Sequence, residues 1–414
     1  MTTVSTSASR EEAALLDQGD ELAAFRDRFL PIRDPSVIAY LDGNSLGRPL
    51  KRTLELMNDL VGAQWSSRLI RGWNDGWLEL PRRLGDDLGR VALGAGPGQV
   101  ILADSTTVCL YKALRVAAAL LPGRGELVCD TGDFPTDRYI AQAVADELGL
   151  TVRWIDSDPA SGVTAEQVAD AVGPGTAVVA LSHVAYRSAF IADMEQINAI
   201  AHDAGALVVW DLCHSVGSVP VHLDATGTDF AVGCTYKYLN AGPGAPAFVY
   251  VRADHHGAAR QPIPGWMSAA DRFAMARDYQ ADPGIGRMLS GTPAVTGLIG
   301  VAAGVELLEE AGIGRVRAKS VALTRMAIAL YDEWLAPLGF TLSSPRPDAI
   351  RGGHITVSHP KAEEFADTLI GDGVIVDFRA PDGIRLGLSP LSTSYTELWA
   401  ALDRTRALAT EVLA

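Results

Sequence analysis

Two residues far apart in the chain could do chemistry together. Asp211 ends the apolar run ALVVWD, and Lys237 lies in GCTYKYLNAGPG, between two tyrosines and ahead of a glycine-rich turn. An aspartate at the end of such a run can simply cap the next element. A lone lysine is solvated far more often than it is catalytic. In an apolar, glycine-rich stretch at a strand end it has few solvated options, and it becomes a candidate nucleophile. An amine and a carboxylate together suit a cofactor with an aldehyde and a pyridine nitrogen. The lysine takes the aldehyde as a Schiff base, and the aspartate keeps the nitrogen protonated so that the ring accepts electrons from a carbanion. Pyridoxal phosphate is such a cofactor, and its phosphate needs donors, ideally at a helix N-terminus. Ser105-Thr106-Thr107, opening a helix that begins near Val108 after the run VILAD, could supply them. As isolated capping residues these three would be unremarkable. Phe134, in the polar segment DFPTD after ELVCD, is core by default, but in a strand-end loop it could stack on a flat ring.

These residues matter only if the fold brings them together, and in an open α/β sheet ligands bind beyond the carboxyl ends of the strands. From about residue 98 apolar runs alternate with amphipathic helices. The runs are VILAD, LVCD, TVRWID, AVVALSHV, LVVWDL, FAVGCTYK and PAFVYV; the helices include TTVCLYKALRVAAALL and DMEQINAIAHDAG. Such alternation predicts a mainly parallel sheet with helices on both faces. A long helix near residue 300 (VTGLIGVAAGVELLEEAG) precedes a smaller α+β set, RGGHITVSHP, a helix and VIVDFRAPDGIRLGL. The expected division is an N-terminal helix and arm over 1–50, a large cofactor-binding domain over 51–300 and a small C-terminal domain over 301–414. The first ten residues read as disordered, and 11–30 as a helix with Leu15, Leu22, Phe25 and Phe29 in one stripe.

Composition narrows the function classes. A net charge of −15 argues against a nucleic-acid or anionic-membrane surface, since both would repel the chain. The four cysteines, Cys109, Cys129, Cys213 and Cys234, sit in or beside apolar runs without a CxxC pair, so they read as buried thiols rather than a disulfide or metal site. The N-terminus lacks a basic segment followed by an apolar core, and no window reaches membrane-spanning length. The expectation is a cytoplasmic protein.

Several stretches carry a resemblance. YLDGNSLG, QWSSRLIRGWNDGW, DFPTD, WDLCHSVGSVPV, AVGCTYKYLNAGPGAPAFVYV, PGW followed by RFAM, GTPAV, RGGHITVSHP and DFRAPDGIRLGLSPL run in order from about residue 40 to 400 and resemble kynureninases. The resemblance implies a pyridoxal-phosphate enzyme of fold type I, a homodimer with the active site at the subunit interface. It implies Lys237 as the Schiff-base lysine that then moves the α-proton, and Asp211 at the pyridine nitrogen with His214 beside it. Thr106, Thr107, Tyr236 and Trp266 would hold the phosphate, with Thr292 reaching it from the partner subunit. Phe134 would stack on the ring within the loop Phe134, Pro135, Thr136 and Asp137, and Ser182 would approach the ring hydroxyl. Arg385 would grip the substrate carboxylate as a fork, with Asn44 and Ser45 in the same site. The implied reaction is hydrolysis of the Cβ–Cγ bond of kynurenine or 3-hydroxykynurenine to anthranilate or 3-hydroxyanthranilate and alanine, with Tyr236 a candidate proton donor.

The chain also departs from the family pattern. Met267-Ser268-Ala269 stands where the family has Phe-Gly-His, Cys109 where it has Asn, and Ser392 where it has Tyr. These changes leave the cofactor residues intact and bear on the aryl half of the substrate. A lyase or aminotransferase acting on another β-substituted or γ-keto amino acid stays open, because a shared cofactor site does not dictate the bond broken. A cysteine desulfurase needs a nucleophilic cysteine well after the lysine, and the last cysteine here is Cys234. A non-enzymatic relative would be expected to lose the lysine or the aspartate.

Overall fold

The computed structural model describes residues 9–413. Seven strands form the main sheet, in the spatial order Val100–Ala103, Ala247–Val251, Phe230–Gly233, Leu207–Asp211, Thr176–Ser182, Glu126–Asp130, Thr151–Ile155. Every pairing is parallel except those of Ala247–Val251, which runs antiparallel to both neighbours. Most of these strands are buried on both faces, which is why they read as unbroken apolar runs rather than as alternation. The fold is the expected α/β arrangement of fold type I. One strand is shorter than its run: FAVGCTYK leaves the sheet at Gly233, so Lys237 sits on the loop beyond, which turns through Asn240 at φ +56°.

A second, antiparallel sheet of Thr341–Leu342, His354–Ser358, Gly383–Gly387 and Asp377–Arg379 builds the small part, with helices Ala362–Gly371 and Tyr395–Leu413 in its core. The apolar interior falls into separate clusters. Helix Val295–Ala311 gives Leu298, Val301, Val305 and Leu308 to the large core, so a boundary near residue 300 would cut through it. We place the division inside helix Ile313–Leu330, where Val316 packs in the large core and Leu323 in the small one.

The N-terminal arm is shared between the two parts. Ala13, Ala39 and Leu41 join the small core, whereas Leu22, Phe25, Phe29 and Leu50 join the large one. Ala39–Tyr40 pairs in parallel with Val374–Ile375, and the Asp17 carboxylate accepts the amides of Tyr395 at 2.9 Å and Thr396 at 3.0 Å. The expected helix over 11–30 is two pieces, Arg10–Gln18 and a 3-10 turn Ala23–Arg28, because Gly19 ends the first and Asp20 accepts the Leu22 amide. Leu15 is therefore 64% exposed and outside the stripe. Of the ten residues expected to be disordered, 1–8 lie outside the described residues, while Ser9 caps the first helix. Among the described residues no helix is long and apolar enough to cross a membrane.

Candidate active site

At the carboxyl ends of the parallel strands lies a cavity of about 590 Å³. Helix Thr106–Leu120 opens onto it two residues earlier than expected, with Ser105 as N-cap holding the Val108 amide at 3.4 Å. Thr106 and Thr107 are its first two helical residues, so the unpaired N–H groups and the positive end of the helix face the cavity. The turn before it is braced from behind: Lys112, fully buried, donates to Asp104 at 2.5 Å and to the Met288 carbonyl at 2.8 Å. This end suits a phosphate.

Asp211 and Lys237 both line the cavity. Asp211 leaves its strand beside Val232, and its Oδ1 accepts the Cys213 amide at 2.6 Å, so the capping role weighed in the sequence occupies one carboxylate oxygen. Asp137 lies against Asp211, and burial first, then the Asp211 charge, pushes its carboxyl well above the usual range. A protonated Asp137 can donate to Asp211. Asp133 is raised in the same way by burial and by Asp130. The Lys237 Nζ lies 3.3 Å from His214 Nε2, and burial followed by the Lys237 and Arg385 charges holds that imidazole neutral. Among the described residues no carboxylate pairs with Lys237. The amine is thus free to take an aldehyde.

Glycines let other elements press on the lysine loop. The Gly47 amide donates to the Tyr236 carbonyl at 2.8 Å, and a Cβ at Gly47 would stand 2.3 Å from the Lys237 carbonyl. Helix Val295–Ala311 turns Gly297, Gly300 and Gly304 to the same loop; a Cβ at Gly300 would lie 1.9 Å from the Ala241 carbonyl oxygen and one at Gly304 2.0 Å from that of Leu239. The spacing of three and four residues puts all three on one helix face. That spacing was available in the sequence as a signal.

Arg385, on strand Gly383–Gly387 and 1% exposed, faces the cavity. Its Nε donates to Asp377 at 2.6 Å and its Nη2 to the same oxygen, while Nη1 reaches the Tyr186 carbonyl at 2.8 Å and Nη2 the Ser45 hydroxyl at 3.0 Å. Beside it the amide of Asn44 is fully buried, lines the cavity, and has no hydrogen-bond partner at either atom among the described residues. The one Nη1 hydrogen these contacts leave over, with an unsatisfied amide at its side, suits a carboxylate.

Of the residues expected in the site, Asn44, Ser45, Thr106, Thr107, Phe134, Thr136, Asp137, Ser182, Asp211, His214, Tyr236, Lys237, Thr292 and Arg385 line this one cavity. Phe134 is positioned by Pro135, which opens helix Pro135–Leu148 and itself stays off the cavity wall; the Phe134 ring meets Tyr186 edge to face at 5.3 Å. Burial, then the neighbouring cysteines, raises the Tyr236 phenol, so it stays protonated. Thr292, expected from the partner subunit, lines the cavity of its own chain. Trp266 does not: it is half-exposed, donates to the Arg272 carbonyl at 2.5 Å and packs on Phe273. The sequence reading missed Tyr186, Arg379, Cys213 and Cys234 as wall residues. None of the departures Met267, Ser268, Ala269, Cys109 and Ser392 lines the cavity of the chain that carries it.

Comparisons with known proteins place the chain in a family. A family model described as the kynureninase C-terminal domain matches residues 316–405, and one described as the DegT/DnrJ/EryC1/StrS aminotransferase family matches residues 95–224. The kynureninase of Pseudomonas fluorescens is 40% identical over 402 residues, covering 95% of this chain and 94% of that one. An apo cysteine desulfurase from Thermococcus onnurineus NA1 superposes with a TM-score of 0.78 at 20% identity, over 90% of this chain and 95% of that chain. C-DES with glycine covalently linked to its PLP cofactor gives 0.80 at 18% identity, over 92% and 98%. At those identities the structural likeness is one of fold. The relative alike over nearly its whole length decides the family: this chain belongs to the kynureninases, and pyridoxal 5′-phosphate is its cofactor.

Proposed function

We propose that this enzyme hydrolyses the Cβ–Cγ bond of L-kynurenine or its 3-hydroxy form, adding water to give anthranilate or 3-hydroxyanthranilate and L-alanine, as a step of tryptophan catabolism or a related biosynthesis. The observation that carries the reading is the convergence of Lys237, Asp211, the Thr106–Leu120 helix start and Arg385 on one cavity.

When bound, the cofactor supplies an aldehyde for an amine and a ring that accepts electrons. Lys237 would take that aldehyde and afterwards carry the proton to and from the substrate Cα, with neutral His214 as its acceptor. The Asp211 oxygen not used by Cys213 would hold the ring N–H, Thr106 and Thr107 the phosphate, and Phe134 one ring face. Arg385 and Asn44 would fix the substrate carboxylate, leaving the aryl ketone toward Tyr236, whose protonated phenol can donate in the cleavage.

A homodimer belongs to this proposal. Val61, Trp65, Leu69 and Ile70 on one segment and Phe273 and Met275 on another expose apolar surface that a second copy would cover. Trp266, turned away from its own cavity, would then serve the partner's. The test is to incubate the enzyme with each substrate and quantify the aromatic acid and alanine. Equimolar products from either substrate support the reading; proton exchange at Cα without cleavage would move the reading to another γ-keto or β-substituted amino acid.

A further inference from the structure

Two thiols in the cavity wall have no part in the chemistry above. Strands Leu207–Asp211 and Phe230–Gly233 run in parallel with Asp211 opposite Val232, and Cys213 and Cys234 each follow two residues later, side by side. The ladder continues to them: the Leu212 amide donates to the Val232 carbonyl at 2.8 Å, and the Cys234 amide donates to the Cys213 sulfur at 3.2 Å. The Cys234 sulfur sits 3.9 Å from the Cys213 carbonyl. Paired strands lie about 4.8 Å apart, within the Cα separation of about 4.4–6.8 Å that a disulfide spans. Both residues line the cavity, so a small oxidant that reaches the cofactor reaches them.

We propose that Cys213 and Cys234 form a peroxide-sensitive thiol pair whose oxidation to a disulfide loosens the grip on the cofactor. Burial opposes ionisation of Cys234, but the Cys213 thiol that donates to it and the Lys237 charge bring it below the ordinary thiol value, which makes it the attacking sulfur. The Cys234 thiolate attacks a peroxide oxygen, the O–O bond breaks, and a sulfenic acid and water result. The Cys213 sulfur then attacks that sulfur, the S–O bond breaks, and a second water leaves with the Cys213 proton. Two thiols are oxidised by two electrons and one hydroperoxide is reduced.

The pair touches both ends of the cofactor site. The Cys213 sulfur lies 3.8 Å from the Thr106 hydroxyl at the phosphate end, and the Cys213 amide is held by Asp211 at 2.6 Å. Drawing that sulfur toward Cys234 pulls on both contacts. Cys129, buried on a strand outside the cavity wall, has no such position.

The experiment treats the full-length holoenzyme with hydrogen peroxide, then reads intact mass, unreduced peptide maps and the visible absorbance kept through gel filtration. The expected result is a mass loss of about 2 Da, a Cys213–Cys234 linked peptide, lower retained absorbance, and recovery with dithiothreitol and fresh cofactor. Cys213→Ala, Cys213→Ser and Cys234→Ala should each lack the mass loss and keep their own untreated absorbance, while Cys129→Ala should respond like the unaltered enzyme. Peroxide treatment that adds oxygen without linking the pair would overturn the proposal. So would a linked enzyme that retains all its cofactor.

Discussion

Replacing Arg385 by lysine separates charge from geometry at the proposed carboxylate site. Arg385 spreads four contacts over three partners, two to one Asp377 oxygen, one to the Tyr186 carbonyl at 2.8 Å and one to the Ser45 hydroxyl at 3.0 Å. A lysine ammonium can keep the Asp377 pair, but it is a single point on a flexible stem and cannot also hold the Tyr186 and Ser45 contacts while presenting a further donor, the remaining Nη1 hydrogen of the arginine, to a substrate. One charge-assisted hydrogen bond to the substrate is then lost, about 1.5–3 kcal/mol. In kcat/KM with L-kynurenine that is a fall of about 10- to 150-fold. Because Arg385 is buried, thermal melting and the visible absorbance of the bound cofactor must be read alongside, and both should show a folded, loaded enzyme. An Arg385→Lys enzyme with unchanged kcat/KM would mean that the carboxylate is held elsewhere, with Arg379 and Asn44 of the cavity wall as the alternatives.

Gly300→Ala would drive a methyl group to 1.9 Å from the Ala241 carbonyl, and overpacking of about 1–3 kcal/mol should outweigh the helix-propensity gain of about 1 kcal/mol. The urea midpoint should fall and cofactor retention with it; an unchanged midpoint would show that the lysine loop is not pinned by this helix. Asp42, raised by burial to about 6, binds its proton more tightly folded than unfolded. Its charge therefore weighs on the fold as pH rises from 3.8 through about 6, and Asp42→Asn should be more stable than the unaltered protein at pH 7, by at most about 3 kcal/mol, with the difference closing near pH 4. A difference that stays constant over that range in urea titrations would assign Asp42 no such titration.

The parallel sheet was legible because strands buried on both faces need continuous apolar runs, and the chemistry-bearing Asp211 and Lys237 stand at or just past the ends of such runs. The helix start at Thr106 was legible to within two residues because Ser105 is an N-cap type. What depended on distant chain could not be read in this way. The pairing of Ala39–Tyr40 with Val374–Ile375 spans most of the sequence, and so does the contact of Ser45 with Arg385. Asp377 looked like one more strand residue, although it supplies the counter-charge that allows a buried arginine. Trp266 carries the family motif yet points away from the cavity of its own chain, a matter of side-chain direction that a motif does not contain.

Every catalytic role proposed here depends on Lys237 as the amine that anchors the cofactor. Borohydride reduction of the holoenzyme, followed by proteolysis and mass mapping, reads the attachment point directly. A single stable pyridoxyl adduct on Lys237 is expected, and a folded Lys237→Ala enzyme from which reduction traps none. An adduct carried by Lys112 or any other lysine would contradict it.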